Sequence, residues 1–315
     1  MIEASGTFLA FLSDEEVSDV ARSFMSLVLE GAPFIVLGTI ISGFIHAYLP
    51  SSAMDRILPK KDTLAVFAAG TFGLFFPVCE CAIVPVIRRL VIKGLPLSCA
   101  VTYMLSAPAI NVISIASTAT AFTGDGAAYM SISRVLMTYI VTVTVGLIFL
   151  RFKPEQILKE RMMTAVGSGG GDHDHSNLPG DQKLTLAMRT ALRDFLDTCM
   201  YFSIGALITS VFNEQMERET IERIGQNDFQ AVPAAMGMGF LLSLCSTSDA
   251  FIAATNRAIS STAKLAFLVY GPMMDLKLVF MYATIFKKKV VFWLVIGLFV
   301  LVGLVCVPWA MVHRG

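Results

Sequence analysis

The sequence predicts an all-α polytopic membrane protein with an inverted-topology internal repeat and about eight to ten membrane helices, at roughly 20 residues per span. Three observations carry this prediction. The 315 residues are 55% hydrophobic and only 15% charged, with a mean hydropathy of +0.70, where soluble domains carry about a quarter charged residues. The apolar runs are continuous and do not alternate, which excludes a β-barrel. Finally, Gly73-Leu74-Phe75-Phe76-Pro77-Val78-Cys79-Glu80-Cys81 has a degenerate echo 166 residues later, Gly239-Phe240-Leu241-Leu242-Ser243-Leu244-Cys245-Ser246-Thr247.

The elements follow in order. Residues 1–20 hold Glu3, Asp14, Glu15, Glu16 and Asp19 with no Lys or Arg, the opposite of a secretory n-region. Phe24–Leu49 is the first apolar helix. Asp62–Lys93 is a Cys-bearing element broken near Pro77-Val78-Cys79-Glu80, because Pro77 lacks a backbone donor and disfavours helix at Phe76. Each arm has about 15 residues, or roughly 23 Å, too short for a ~30 Å hydrocarbon core, so a re-entrant pair of half-helices is expected, with conventional kinked spans, about ten helices in all, as the alternative. Leu95–Phe122 is interrupted at Pro108, and Ile132–Leu150 closes the first half. The second half repeats this plan with Leu186–Phe212, a Cys element over 228–262, Lys264–Phe286 interrupted at Pro272, and Val290–Val312. Residues 1–150 and 190–315 are thus two transmembrane repeats. The linker 151–189, with Ser168-Gly169-Gly170-Gly171-Asp172-His173-Asp174-His175, reads as a flexible solvated tether.

Further matches keep nearly the same offset. Phe34-x-x-x-Gly38 pairs with Tyr201-x-x-x-Gly205, Glu30 with Asp197, and Asp62 with Asp228. Ser106-Ala107-Pro108-Ala109-Ile110-Asn111 pairs with Tyr270-Gly271-Pro272-Met273-Met274-Asp275. The basic clusters (Arg56, Lys60 and Lys61; Arg88, Arg89 and Lys93; the linker; Lys287–Lys289) belong on the cytoplasmic side. That placement puts both termini outside and gives the halves opposite orientation. In such proteins the two broken elements meet at a site near the bilayer midplane.

Cys79-Glu80-Cys81 is the most specific chemical element. At a helix break it presents two soft sulfurs and a carboxylate, and thiolates select Cu(I), Zn(II) or trivalent arsenic. The N-terminus of the following half-helix favours a thiolate. The plainer assignment is packing cysteines in a turn. Glu80 argues against it, since a carboxylate in a membrane segment is costly unless paired or functional. Cys245-Ser246-Thr247-Ser248-Asp249 is the counterpart, with Cys245, Ser246 and Asp249 as candidates and Ser246 or Ser248 also fit to cap a half-helix. A pair between Asp249 and Arg257 lacks helical i,i+4 spacing and is not counted on. Asn111 and Asp275 follow Pro108 and Pro272 by three residues, as a pseudo-symmetric ion or proton relay or as polar glue between helices. Lys277 is placed either to neutralise Asp275 or near the cytoplasmic end of its helix. The metal-ligand candidates are Cys79, Cys81 and Cys245.

The 17 Met include Met273 and Met274 beside the second Pro motif; thioethers pass Cu(I) but more often fill cores. No GxxxxGK[ST], Ser-His-Asp or nucleic-acid signature is present. The sequence therefore points to no enzyme activity, no cofactor and no nucleic-acid partner. The expected partners are the lipid bilayer, a small-molecule or ion substrate, and a second copy of the chain.

These motifs also carry a resemblance. Pro77-Val78-Cys79-Glu80-Cys81 with Pro85 and Ser106–Asn111 resembles the ArsP/YraQ-type predicted permeases, the DUF318 family, over most of the chain. ArsP-type members are associated with efflux of trivalent organoarsenicals, and a sister branch with copper and zinc efflux. Family motifs commonly have a small residue between the cysteines. Glu80 departs from that and matches the YraQ-like branch. The resemblance implies a permease of the bacterial inner membrane that exports a soft, thiol-binding metal, metalloid or related solute by alternating access. The alternative is a membrane thiol–disulfide redox protein using Cys79 and Cys81, whose i,i+2 disulfide would be strained and labile.

Overall fold

The computed structural model describes residues 14–50, 58–59, 61–75, 78–167, 180–215, 228–256 and 259–312. Among these, helices account for nearly all regular structure, with an isolated bridge between Leu158 and Phe286 and no β-strand. Five stretches are long and apolar enough to cross a membrane: Val17–Tyr48, Gly126–Phe149, Asp181–Phe212, Ser261–Tyr282 and Lys288–Trp309. The chain is a multi-pass membrane protein.

Two long helices, α1 (Asp14–Tyr48) and α9 (Gly180–Gln215), have 35 and 36 residues and pack along each other. At 1.5 Å per residue each runs beyond 50 Å, roughly, well past a ~30 Å core. The first Cys element is a pair of short helices, α2 (Asp62–Phe75) and α3 (Glu80–Ile92). The second is α10 (Asp228–Leu242) and α11 (Ser248–Thr255). Both elements therefore open at the matched aspartates and break where the sequence repeat places them. Pro77 lies outside the described residues; in the second break Ser243 takes a left-handed φ of 49°. A chain reversal at Gly94, φ 97°, leads from α3 into the next element, a conformation glycine adopts at no steric cost.

The apolar run Leu95–Phe122 is not one span. It is two ten-residue helices, α4 (Leu97–Ser106) and α5 (Val112–Ala121), separated at Ala107–Asn111. Lys264–Phe286 divides likewise into α12 (Ser261–Met273) and α13 (Leu276–Tyr282). Every residue of α4 is buried, and α12 is buried from Leu265 to Met273, so these helices form the centre. The closing helices α6 (Asp125–Phe149) and α14 (Lys288–Val312) pack on them and on each other. Large apolar side chains such as Leu29, Ile132, Leu192, Trp293 and Leu304 stay exposed, as expected of a surface facing lipid.

The segment 151–189, expected from sequence as a flexible tether, is helical in part. Residues 154–157 and 160–167 form α7 and α8, and α9 already begins at Gly180. The Lys159 amide donates to the Ile285 carbonyl at 3.0 Å and the Lys287 amide to the Ile157 carbonyl at 2.9 Å, docking the start of the linker on the end of α13. The Gly/His/Asp tract at 168–175 lies outside the described residues.

The matched glycines mark close approaches. A Cβ at Gly73 would lie 2.7 Å from the Cα of Ala107, and one at Gly239 would lie 3.5 Å from the Cα of Gly271. The Cys element of each half thus packs on the Pro motif of its own half, at residues paired in the sequence.

Candidate functional site

Cys79 is the N-cap of α3, with extended backbone (φ −71°, ψ 167°), and its carbonyl accepts the amides of Ala82 and Ile83 at 3.1 Å each. This turn delivers Glu80 and Cys81 into the protein. Cys245 sits in the second break, where its carbonyl accepts the Asp249 amide at 3.0 Å and the Thr247 hydroxyl approaches its sulfur at 3.5 Å. The Thr209 hydroxyl of α9 donates to the Ser243 hydroxyl at 3.2 Å, steadying this break from the side.

Cys79, Glu80, Cys81, Cys245 and Lys277 line one cavity of about 10 Å³, walled by Leu27, Glu30, Gly31 and Phe34 of α1 and Phe202 of α9. That is about the room one water needs. Glu80 is 1% exposed and neither of its carboxylate oxygens has a hydrogen-bond partner. Lys277 stands 3.6 Å from the Asp275 carboxylate and 5.8 Å from the Phe202 ring centroid. All six cysteines are free thiols. Among the described residues, no group of three or more His, Cys, Asp and Glu side chains stands ready to hold a metal ion.

The remaining candidates lie elsewhere. Asn111 is the N-cap of α5: its Oδ1 accepts the Ser114 amide at 2.7 Å, and its Nδ2 donates to the carbonyls of Ala107 and Pro108 at 3.0 and 2.9 Å. These bonds use its amide within its own break. Asp275 is the N-cap of α13, accepting the Leu278 amide at 2.6 Å. The Pro-x-x-Asn/Asp match is therefore a repeated capping device at Pro108 and Pro272. Asn111→Ala should cost about 1 kcal/mol, the usual worth of an N-cap. Asp275→Ala should cost more, about 3–5 kcal/mol, because it also strands the buried Lys277 charge. Denaturant unfolding of both variants in detergent checks the order.

Asp249 is engaged by a residue the sequence reading passed over. Arg134 of α6, fully buried, meets the Asp249 carboxylate at 2.9 Å, the Ser246 carbonyl at 3.1 Å and the Thr118 hydroxyl at 2.7 Å. The Ser114 hydroxyl also donates to the Ser246 carbonyl, at 3.4 Å. Arg257 lies outside the described residues. Ser248 caps nothing; its hydroxyl donates to the Glu30 carboxylate at 2.9 Å. A second network holds α3: Arg89 grips Asp194 of α9 through two bonds of 2.9 and 2.7 Å, and the Ser42 hydroxyl of α1 reaches the same carboxylate at 2.6 Å. Arg134 is an isolated charge inside an apolar span, and that signal was available in the sequence; Asp194 stands among Arg189, Arg193 and Asp197, so nothing local singled it out.

Two broken elements meet inside a bundle of membrane helices, with buried charges and thiols at the breaks. The chain belongs to the predicted permease family ArsP_1, whose sequence profile matches residues 16–313. It is 38% identical over 281 residues to the UPF0718 protein YcgR of Bacillus subtilis (strain 168), covering 89% of this chain and 92% of that one. It is 33% identical over 267 residues to a putative two-component membrane permease complex subunit of Streptococcus mutans serotype c, covering 84% and 86%. No solved structure matches significantly.

Proposed function

We propose that this chain is a carrier of the bacterial inner membrane that exports a soft, thiol-binding metal or metalloid ion, or a related small solute, by alternating access. The observation behind this reading is the shared cavity: Cys79 and Cys81 from the first half and Cys245 from the second line it together. Thiolates hold soft ions by covalent character that water and carboxylates do not match. Loading would draw the two breaks together, since metal–sulfur bonds of ~2.3 Å hold sulfurs about 4 Å apart. Glu80, Ser246, Asp249, Asn111, Pro108, Asp275 and Pro272 then act around the thiols, the acid in contact with the cargo and the others as braces and caps of the moving breaks. Membership in a permease family does not favour the redox alternative. The name of the Streptococcus relative includes a complex, so a second component or a second copy is a natural partner in the bilayer.

The deciding experiment is uptake of Cu(I), Zn(II) and trivalent arsenicals into vesicles. Cys79→Ser, Cys81→Ser and Cys245→Ser should each abolish transport of the cargo while the protein still reaches the membrane, because Ser keeps the size and loses the soft donor. Cys199→Ser and Cys306→Ser should be nearly silent. Full transport of every soft ion by Cys79→Ser would make the cysteines packing residues. The halves are read as inverted, with the 151–189 linker in the cytoplasm. In a cysteine-free background, Ser168→Cys should be labelled only after the membrane is permeabilised.

A further inference from the structure

A second cavity, of about 130 Å³, shares no lining residue with the first but is bordered by the same helices, α3, α9 and α13. Val84 and Pro85 line it, one turn beyond Cys81 on α3. Three thioethers from three different elements line it as well: Met162 of α8, Met200 of α9 and Met281 of α13. Met281 follows Lys277 of the cysteine cavity by one helical turn. Met162 and Met281 are 2% and 1% exposed, whereas Met200 is 52% exposed at the mouth. The backbone bonds that dock 157–159 on 285–287 fix Met162 in place, so the linker contributes a wall of this cavity.

The charges there are unequal in commitment. Both oxygens of Asp194 are taken by Arg89. Asp197 faces the same cavity, is half exposed, and has only a long 3.4 Å contact with Arg88. A set of neutral thioethers with one available carboxylate is a poor site for a hard ion and for Zn(II), which takes thiolate, imidazole and carboxylate ligands. It suits a soft univalent cation. Arg88 and Lys159, which also line the cavity, repel a divalent ion twice as strongly as a univalent one.

We propose that Met162, Met200 and Met281 form a staging site for a soft univalent cation, Cu(I) or Ag(I), on the linker side of the cysteine cavity, with Asp197 balancing its charge. The inference rests on the carrier reading, because the cysteines are the next station for the ion. It narrows the cargo from thiophiles in general to those that thioethers also hold.

The test uses the full-length protein in vesicles with Ag(I) alone as probe, measuring Ag(I) bound and Ag(I) transported. Leucine keeps the volume and apolar character of methionine and lacks only the sulfur. In the cysteine-free background, where no thiol competes for the probe, the triple variant M162L/M200L/M281L should bind Ag(I) about tenfold more weakly or worse. M200L alone should show part of the loss, and its position at the mouth keeps core packing out of the comparison. A folded triple variant within about twofold of the cysteine-free parent for Ag(I) overturns the proposal. If the triple variant does not fold, unchanged Ag(I) binding by M200L overturns it. Cys79→Ser separates the two readings. Transport lost in Cys79→Ser but intact in the Met variants overturns the staging site alone. Ag(I) binding lost in the Met variants with normal transport in Cys79→Ser supports the staging site and overturns the cysteine site. No Ag(I) binding by the unaltered protein overturns the staging site outright.

Discussion

Arg134→Leu should destabilise the protein by about 3–5 kcal/mol, because removing one partner of a buried ion pair strands the other charge. The two side chains are 1% and 3% exposed, so water cannot take over. The Thr118 hydroxyl loses its donor at the same time, at about 1 kcal/mol, and the Ser246 carbonyl keeps only the longer bond from Ser114. Arg134→Lys keeps the charge but not the planar fork, and should fall between. The double variant Arg134→Leu/Asp249→Leu removes both charges and should recover most of the loss, since a buried pair replaced by apolar groups is often neutral. Unfolding of the unaltered protein, Arg134→Leu, Asp249→Leu and the double variant in one detergent measures the coupling. Transport should fall with Arg134→Leu even where the protein survives, because Ser246 directly follows Cys245 and Arg134 holds its carbonyl. Arg134→Leu as stable as the unaltered protein would show that the pair does not form in the embedded molecule.

The legible part of this fold was the part encoded locally. Apolar runs gave the long helices, and the paired aspartates, Asp62 and Asp228, gave the starts of both Cys elements. The break at Cys79 was readable from its proline even though Pro77 lies outside the described residues. The matched Asn111 and Asp275 were readable as important, but their role was not. Spacing alone cannot tell a relay from an N-cap, since both need a polar side chain just after a break. What sequence could not supply was pairing across the repeat. Arg134 and Asp249 are 115 residues apart, and Arg89 and Asp194 are 105 apart. Arg89 belongs by sequence to a basic cluster expected on the cytoplasmic side, whereas its guanidinium is spent on a buried carboxylate. Lys277, placed beside Asp275 from sequence, does pair with it. Its presence in the cysteine cavity follows only from how α13 packs between α3 and α9.

Gly38→Ala should cost about 1–3 kcal/mol by overpacking and should suppress transport more than any change of similar size on the lipid face. A Cβ at Gly38 would sit 2.6 Å from the Ala82 Cβ and 2.7 Å from its carbonyl oxygen. Backbone cannot swing aside as a side chain can, so α1 and α3 must separate. Ala82 directly follows Cys81, and any shift of α3 is passed to Cys79, Glu80 and Cys81 in the cavity. Gly205 is the matched position on α9, and a Cβ there would lie 2.8 Å from the Lys277 Cα. Gly205→Ala should therefore displace the one cation of the described cavity lining and act like Gly38→Ala, although the two touch different elements. Gly297→Ala and Gly303→Ala on α14 are the controls. Nothing lies within 4 Å of a Cβ at either, and alanine in an unobstructed helix interior stabilises by about 0.5–1 kcal/mol relative to glycine. Measured together by unfolding and vesicle uptake, the four variants separate helix propensity from close approach. If Gly38→Ala gains stability as Gly297→Ala does, α1 and α3 are not in contact, and the cavity that joins Cys79, Cys81 and Cys245 would have to be built some other way.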